Sequence, residues 1–357
     1  MKRTRFKIFK NNNEKKNILI PNKFNRKKRI RKRKYLKYGK YNSKKDGIKN
    51  FQIYKILIIF IFIILIFLIT KYKESNSVDL KTKVCACTLG KNENRYIREW
   101  VSHYEKYGVD KIYLYDNNSP DGERFEEVIQ DYIDKGFVEI FNWRGKPNPI
   151  MYIMNDCYQK NYDKYDWIVF YELDEFINLK NYTNIKPFLN QEKFNNCQLI
   201  YLNLLLHTDN NQLYYENKPL KERFPEIVPL SRHYFEIKSI LRGHIPNITV
   251  KCIHRINSHL INCNGYGHRN KNDLIFATEP DTSLYYIDHF YCKSIEEFIN
   301  KINRGDPFYK NNNNVERIEK FYKQSGFTKQ KIDMIEKGTG LDLSKYKRMI
   351  NNYNLNK

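Results

Sequence analysis

The sequence predicts an α/β domain, a mostly parallel sheet flanked by helices, preceded by a single transmembrane helix. Three observations predict it. An uninterrupted apolar run, Ile56 to Ile69, follows a strongly basic stretch. From Lys83 onward, short β-branched or aromatic runs alternate with segments of helical periodicity. Polar clusters fall after each of the first four predicted strands, "GKNEN", "DNNSPDG", "RGKPN" and "ELDE", and a parallel sheet gathers such loops along its carboxyl edge.

The membrane helix comes first in the chain. The formal charge of +24 belongs to the N-terminus, because residues 1–55 carry 22 Lys/Arg against Glu14 and Asp46, which leaves the rest at a net +4. Residues 1–50 are low-complexity Lys/Arg/Asn sequence expected to be a disordered tail. The strictly apolar part of the adjoining segment is 14 residues, short of the ~20 that a bilayer needs. Counted as 51–70, with Lys55 snorkelling, the segment reaches across a thin membrane. A cleaved signal peptide fits less well, since no small-residue cleavage site comes after it. Basic residues stay cytoplasmic, so 51–70 reads as a signal anchor of type II topology and 71–82 as a polar stem. In a eukaryote the remainder then faces the lumen of the Golgi or endoplasmic reticulum.

The folded domain begins at residue 83 with the strand "KVCACTLG". In "NRYIREWVSHYEKYG", Tyr96, Ile97, Trp100, Val101, Tyr104 and Tyr107 recur at helical spacing, and Gly108 stops the helix. "DKIYLYDNNSPDG" reads as a strand ending in a turn, "RFEEVIQDYIDKG" as a helix closed by Gly136, and "FVEIFNW" as the third strand. A helix over 151–162 leads into the fourth strand, "DWIVFYELD". With 41% hydrophobic and 15% aromatic residues the chain has ample material for a core, which excludes wholesale disorder.

At the end of the fourth strand, Glu172 and Asp174 stand two apart, so an extended chain points them to one side. Unpaired buried carboxylates are costly. Two oxygen ligands with open positions beside them suit Mn²⁺ or Mg²⁺, which keep substrate oxygens in their remaining sites. The bland alternative is a solvated acidic loop. The seven cysteines include no C-x-x-C pair, so a zinc site is not expected. In an oxidising lumen Cys252 and Cys263 are a possible pair, the odd count leaves at least one thiol free, and Cys85 and Cys87 line one face of a strand. Acceptor sequons for N-glycosylation stand at Asn117, Asn181 and Asn247.

Three stretches, "TLGKNENRYIREWVSHYEKYGVDKIYLYDNNSPDG", "MNDCYQKNYDKYDWIVFYELDEFI" and "HFYCKSIEEFINKINRG", resemble the GT-A glycosyltransferases of family 92 (domain of unknown function 23) and related members of family 2. The resemblance covers residues 83–305, with 306–357 left as a helical extension, and implies a Rossmann-like GT-A fold. It departs at Glu172, where the family has Asp. It implies a membrane-anchored, Mn²⁺- or Mg²⁺-dependent enzyme that moves a hexose, first galactose, from a UDP-sugar to a glycan acceptor, with inversion. Lys91, Asn92 and Glu93 would line the nucleotide pocket. Asp116, Asn117 and Asp121 would hold uracil or ribose, which discounts a glycan on Asn117. Arg144 would contact phosphate or its own loop, and Glu172, Asp174, His289 and His254 would serve the metal. Inversion requires a base, with Asp209 and Glu222 as the candidates.

Two other readings compete. The basic tail can bind nucleic acid or anionic membrane, although a tail abutting a membrane span is better explained as a topology signal, and no nucleic-acid partner is expected. Alternatively, with Glu172 as the sign, the domain is an inactive relative kept as a sugar-binding scaffold.

Overall fold

The structure, a computed structural model, describes residues 53–70, 81–146, 150–229, 236–250, 254, 260–269, 281–305 and 314–355. The expected tail, the stem up to residue 80 and Cys252 lie outside the described residues. The chain divides into two units, Met1–Tyr72 and Lys73–Lys357. In the first, Ile53–Thr70 forms helix α1, 18 residues of mean hydropathy 3.0, long and apolar enough to cross a membrane.

The second unit opens with the alternation expected of it: β1 (Val84–Gly90), α2 (Asn94–Lys106), β2 (Lys111–Asp116), α3 (Glu126–Asp134), β3 (Val138–Asn142), α4 (Ile150–Asn161) and β4 (Trp167–Phe170). Next come β5 (Glu175–Leu179), α5 (Ile185–Leu189), β6 (Leu199–Leu206), α6 (Leu220–Arg223), β7 (Ile237–Arg242), β8 (Asn262–Asn264) and β9 (Tyr285–His289). Helices α7 (Ile295–Asn303), α8 (Asn314–Ser325), α9 (Lys329–Thr339) and α10 (Ser344–Leu355) complete it. The strands form one mixed sheet in the order β3-β2-β1-β4-β7-β6-β9-β5, with β8 on β6. The first half is parallel throughout. Beyond β4 the direction alternates, with β4–β7, β7–β6 and β9–β5 antiparallel and β6–β9 parallel.

The two faces of β1 show why the sheet is covered on both sides. Val84 and Ala86 pack into the core shared with α2 and α3, while Cys85 and Cys87 pack into a second core with α4. Side chains alternate along a strand, so an unbroken apolar run is what a doubly covered strand requires. A third apolar cluster joins α7, α8, α9 and α10.

Disulfides tie β1 to α4 through Cys87–Cys157, and the segment before β6 to β8 through Cys197–Cys263. The expected Cys252–Cys263 pairing is therefore overturned: strand pairing of β8 with β6 brings Cys263 to Cys197 instead. The bridges span 70 and 66 residues, and closing loops of that size is worth about 4 kcal/mol each in the chain-entropy account. Full reduction should lower the urea midpoint accordingly, measured with and without reductant. Replacing Cys197 by serine should remove half of that difference.

Helix α2 is amphipathic, burying Tyr96, Ile97, Trp100, Val101 and Tyr104. Its turn needs Gly108, at φ +80°, where a Cβ would stand 2.1 Å from the Asn184 side chain. The helix also satisfies backbone groups of β5. Trp100 Nε1 and the Tyr104 hydroxyl both donate to the Glu175 carbonyl at 3.0 Å, and Ile177 N donates to the Tyr104 oxygen at 3.2 Å. His103 Nε2 donates to the Ile177 carbonyl at 3.0 Å.

Burial pushes the His103 imidazole down to about 4. A histidine depressed on folding stabilises fully above its unfolded value near 6.5 and loses that contribution as pH falls toward 4, because the unfolded chain takes up the proton first. At pH 5 the loss is on the order of 2 kcal/mol. A His103→Gln variant should show a smaller fall in melting temperature between pH 7 and pH 5 than the parent.

Candidate active site

The acidic turn lies between strands. Pairing of β4 ends at Phe170 and β5 begins at Glu175 in register with His289, so Glu172 and Asp174 occupy a connection, not alternate positions of one strand as expected. The turn is held by its own backbone: Glu175 N donates to the Glu172 carbonyl at 3.0 Å and Glu172 N to Glu175 Oε2 at 3.1 Å. Phe290 N donates to the Asp174 carbonyl at 3.0 Å, which ties the turn to the end of β9.

Three lysines meet these three acids. Lys238 Nζ, fully buried on β7, lies 2.6 Å from Glu172 Oε2 and 3.0 Å from Glu175 Oε1. Lys293 and Lys301 place their ammonium groups 3.2 and 3.0 Å from Asp174 Oδ2. Burial alone would raise the Glu172 carboxyl, but the Lys238 ammonium overrides it and holds the group at about 2. Asp174 goes the same way: Lys293 and Lys301 outweigh burial and keep it well below the usual carboxylate range. Glu175 goes the other way. Burial raises its carboxyl well above the usual range despite Lys238, and the charges on Glu172 and Asp174 push it further. Glu172 and Asp174 are thus the acids that the ammonium groups hold ionised, and Glu175 is the one that burial pushes toward its protonated form.

The turn opens on a cleft of about 200 Å³ whose lining includes Glu172, Asp174, His254, His289, Lys301 and Arg304. A second cleft of about 510 Å³ adjoins it across Glu93, Tyr291, Lys301 and Arg304. Arg304 pairs with Glu93 and donates to the Lys91 carbonyl at 2.6 Å, so the end of α7 grips the loop after β1. Burial lowers the Lys91 ammonium, and Arg304 and Arg317 lower it further. Lys301 is lowered to about 8 by burial, against the pull of Asp174. Arg317 and Lys320 of α8 also line the first cleft, and Lys320 pairs with Glu236 at 3.0 Å.

Burial drives both histidines of the cleft down, His289 to about 3 and His254 to about 4, so both are neutral near pH 7. His254 Nδ1 donates to the Ile237 carbonyl at 2.8 Å, which leaves the lone pair on Nε2. His289 Nε2 lies 3.7 Å from Asp174 Oδ1, and its buried Nδ1 has no hydrogen-bond partner among the described residues. The hydrogen bonds described for the Glu172 and Asp174 carboxylates fall on Oε2 and Oδ2, so each offers a second oxygen. Two carboxylate oxygens with neutral imidazoles beside them suit a divalent cation of the Mn²⁺ type. Among the described residues no group of three His, Cys, Asp or Glu could hold a metal ion, and an ion that completes its sphere with substrate oxygens needs none.

Of the residues expected from sequence, Lys91, Glu93, Glu172, Asp174, His254 and His289 meet at the first cleft, and Asn92, at φ 54°, lines the second. The others lie elsewhere among the described residues. Asp116 is buried and bound through Oδ2 to Arg144 Nε at 2.7 Å; the Arg144 guanidinium donates to the carbonyls of Ser119, Pro120, Gly122 and Glu123. Arg144 is thus the loop contact, and Asp116 is its anchor. Asn117 donates to the carbonyls of Trp143 and Lys146, and Asp121 is exposed. Asp209 is buried against Lys331 at 2.6 Å, and Glu222 is exposed on α6. Lys238, Glu236, Arg317 and Lys320 were not expected. Only Lys238 left a sequence signal, a lone lysine inside the apolar strand "IKSILR".

Fold and site together define an α/β protein with a charged cleft at the carboxyl ends of its parallel strands. Its sequence says which one. Residues 81–326 match the profile of glycosyltransferase family 92, well over half of the chain, and the chain belongs to that family. The match runs past residue 305 and takes in α8. A family 92 protein of Oryza sativa subsp. japonica is 30% identical over 95 residues, 26% of this chain and 16% of the relative. One from Ricinus communis is 29% identical over 101 residues, 27% and 17% of the two chains, and one from Arabidopsis thaliana is 28% identical over 108 residues, 29% and 18%. The matches therefore span less than one fifth of the length of these curated relatives. Among solved structures, Staphylococcus aureus TarS 1–349 in complex with UDP overlaps 72% of this chain and 70% of its own, at 13% identity and a TM-score of 0.31. Its complex with UDP-GlcNAc gives 72% and 80%, 10% and 0.30. Overlaps this loose carry no residue correspondence.

Proposed function

We propose that the chain is a glycosyltransferase that moves a hexose, galactose first, from a UDP-sugar to a glycan acceptor with inversion, in a metal-dependent reaction. The observation that carries this reading is the cleft itself, where a pair of ionised carboxylates faces a bank of lysine and arginine at the carboxyl ends of the parallel strands. A diphosphate is the ligand whose charge needs both. Bound Mn²⁺ or Mg²⁺, held by Glu172 and Asp174 with His289 and His254 beside them, would supply Lewis-acid neutralisation of the departing diphosphate. Lys301, Arg304 and Lys91 line the same cleft and would offer donors to its oxygens. Lys238 fixes the Glu172 carboxylate, and Glu175 accepts the Glu172 amide through Oε2 and thereby sets the turn. Asp209 and Glu222 stand away from the cleft, so the base is sought among groups that meet it. Glu236 is one, an ionised carboxylate outside the acidic turn: Lys320 holds it low against burial.

Helix α1 supports a membrane anchor, and the basic residues before it support type II topology with the second unit in the lumen of the Golgi or endoplasmic reticulum. The test incubates the full-length chain in detergent micelles with a panel of UDP-sugars, with Mn²⁺, Mg²⁺ or a chelator, and measures UDP release with and without sugar acceptors. Release from one donor that requires the cation confirms the reading and names the donor. Donor binding without release on any acceptor favours a sugar-binding scaffold instead.

A further inference from the structure

Asp174 presents an electrostatic surplus. Two ammonium groups share its single oxygen Oδ2, Lys293 at 3.2 Å and Lys301 at 3.0 Å, and their side chains are only 5% and 13% exposed. One lysine would neutralise the aspartate. Among the described residues the second leaves the immediate cluster positive, because the neighbouring Arg304 is already matched by Glu93. Both lysines have a second outlook. Lys301 lines both clefts, Lys293 lines the second, and each ammonium lies over an aromatic ring, Tyr291 at 4.0 Å and Tyr96 at 4.5 Å. A ring face is a resting place from which an ammonium can swing between two anions without being stranded.

We infer that Lys293 and Lys301 are placeholders at Asp174, which they neutralise until a cation and a diphosphate arrive together, and that they then transfer to the diphosphate oxygens. The inference rests on the reading of the cleft as a nucleotide-sugar site. A divalent cation arriving alone meets two ammonium groups already on the carboxylate. A diphosphate arriving alone meets lysines already committed to Asp174, with the Glu172 charge beside them. Only the pair matches the site, since the cation takes over Asp174 and frees both lysines for phosphate oxygen. Cation and nucleotide must then strengthen one another's binding by the same factor. An ordinary structural ion pair would create no such linkage.

The test measures Mn²⁺ binding to the full-length chain in detergent by the electron paramagnetic resonance signal of free Mn²⁺, with and without UDP, and UDP binding by calorimetry with and without Mn²⁺. In the parent protein UDP should tighten Mn²⁺ by about tenfold or more. Lys301→Met should bind Mn²⁺ alone more tightly than the parent, bind UDP more weakly, and lose most of the coupling. Lys293→Met should shift all three in the same directions. Lys301→Arg, which keeps the charge, should stay near the parent, and melting curves report whether each variant is folded. Unchanged or weaker Mn²⁺ binding by folded Lys301→Met and Lys293→Met, or coupling equal to the parent's, overturns the inference and leaves the proposed function standing. Failure of the folded parent to bind either Mn²⁺ or UDP overturns the proposed function and the inference with it.

Discussion

Asp174→Asn should reduce UDP release from the preferred donor by at least about 10²-fold in kcat/KM, the scale on which a group that stabilises developing charge is felt. The amide fills the same volume and lies in the same turn, still tied through its carbonyl to Phe290 N. What it removes is a charge that faces Lys293, Lys301 and His289 together. The fold should survive, because Lys301 already sits near 8 and can shed its proton when its anion is lost. Near-ultraviolet circular dichroism of the variant beside its rate separates chemistry from folding. A folded variant that turns over at the parent's rate removes Asp174 from the mechanism.

Lys238→Met should have the largest effect on stability, a loss on the order of 3–5 kcal/mol, typical of stripping the counter-ion from a buried pair. Lys238 is fully buried, and it serves both Glu172 and Glu175. The two acids should respond unequally to neutralisation. Glu175→Gln alone should cost less than Lys238→Met, since burial already disfavours charge on the carboxyl it replaces and the amide keeps an oxygen for Glu172 N. Glu172→Gln in the Lys238→Met background should recover part of the loss, because the carboxylate that Lys238 keeps ionised is then gone. Urea denaturation of the singles and the double gives the coupling directly. If Lys238→Met costs no more than loss of an exposed lysine, Lys238 is not the counter-ion of this cluster.

The alternation from β1 to β4 was legible because each element there is local. Apolar runs, the helical spacing of Tyr96, Ile97, Trp100, Val101 and Tyr104, and the stop at Gly108 all sit within one segment. The antiparallel half was not. The order β7-β6-β9-β5 is fixed by pairings such as Glu175 with His289, made between strands too distant in sequence for any local period to report. The site divides along the same line. The acidic turn was visible as charge at the end of an apolar run, but which lysine meets which acid was not, since a buried ammonium looks like any other lysine until its partner is known. The pairing of Asp116 with Arg144 was hidden for a related reason. They stand in polar loops at the correct edge of the sheet, yet they satisfy each other and the carbonyls between them.

The sequence distances in the acidic turn also set an order of events during synthesis. Glu172 waits 66 residues for Lys238, while Asp174 waits 119 for Lys293 and 127 for Lys301. At roughly 5–20 residues per second, Asp174 leaves the ribosome on the order of ten seconds before its lysines. During that interval β1 to β4 can assemble, whereas the turn after them has water for its counter-ions. The acidic turn is thus closed late in synthesis, and a chain halted before α7 would carry Asp174 without either of its two lysines.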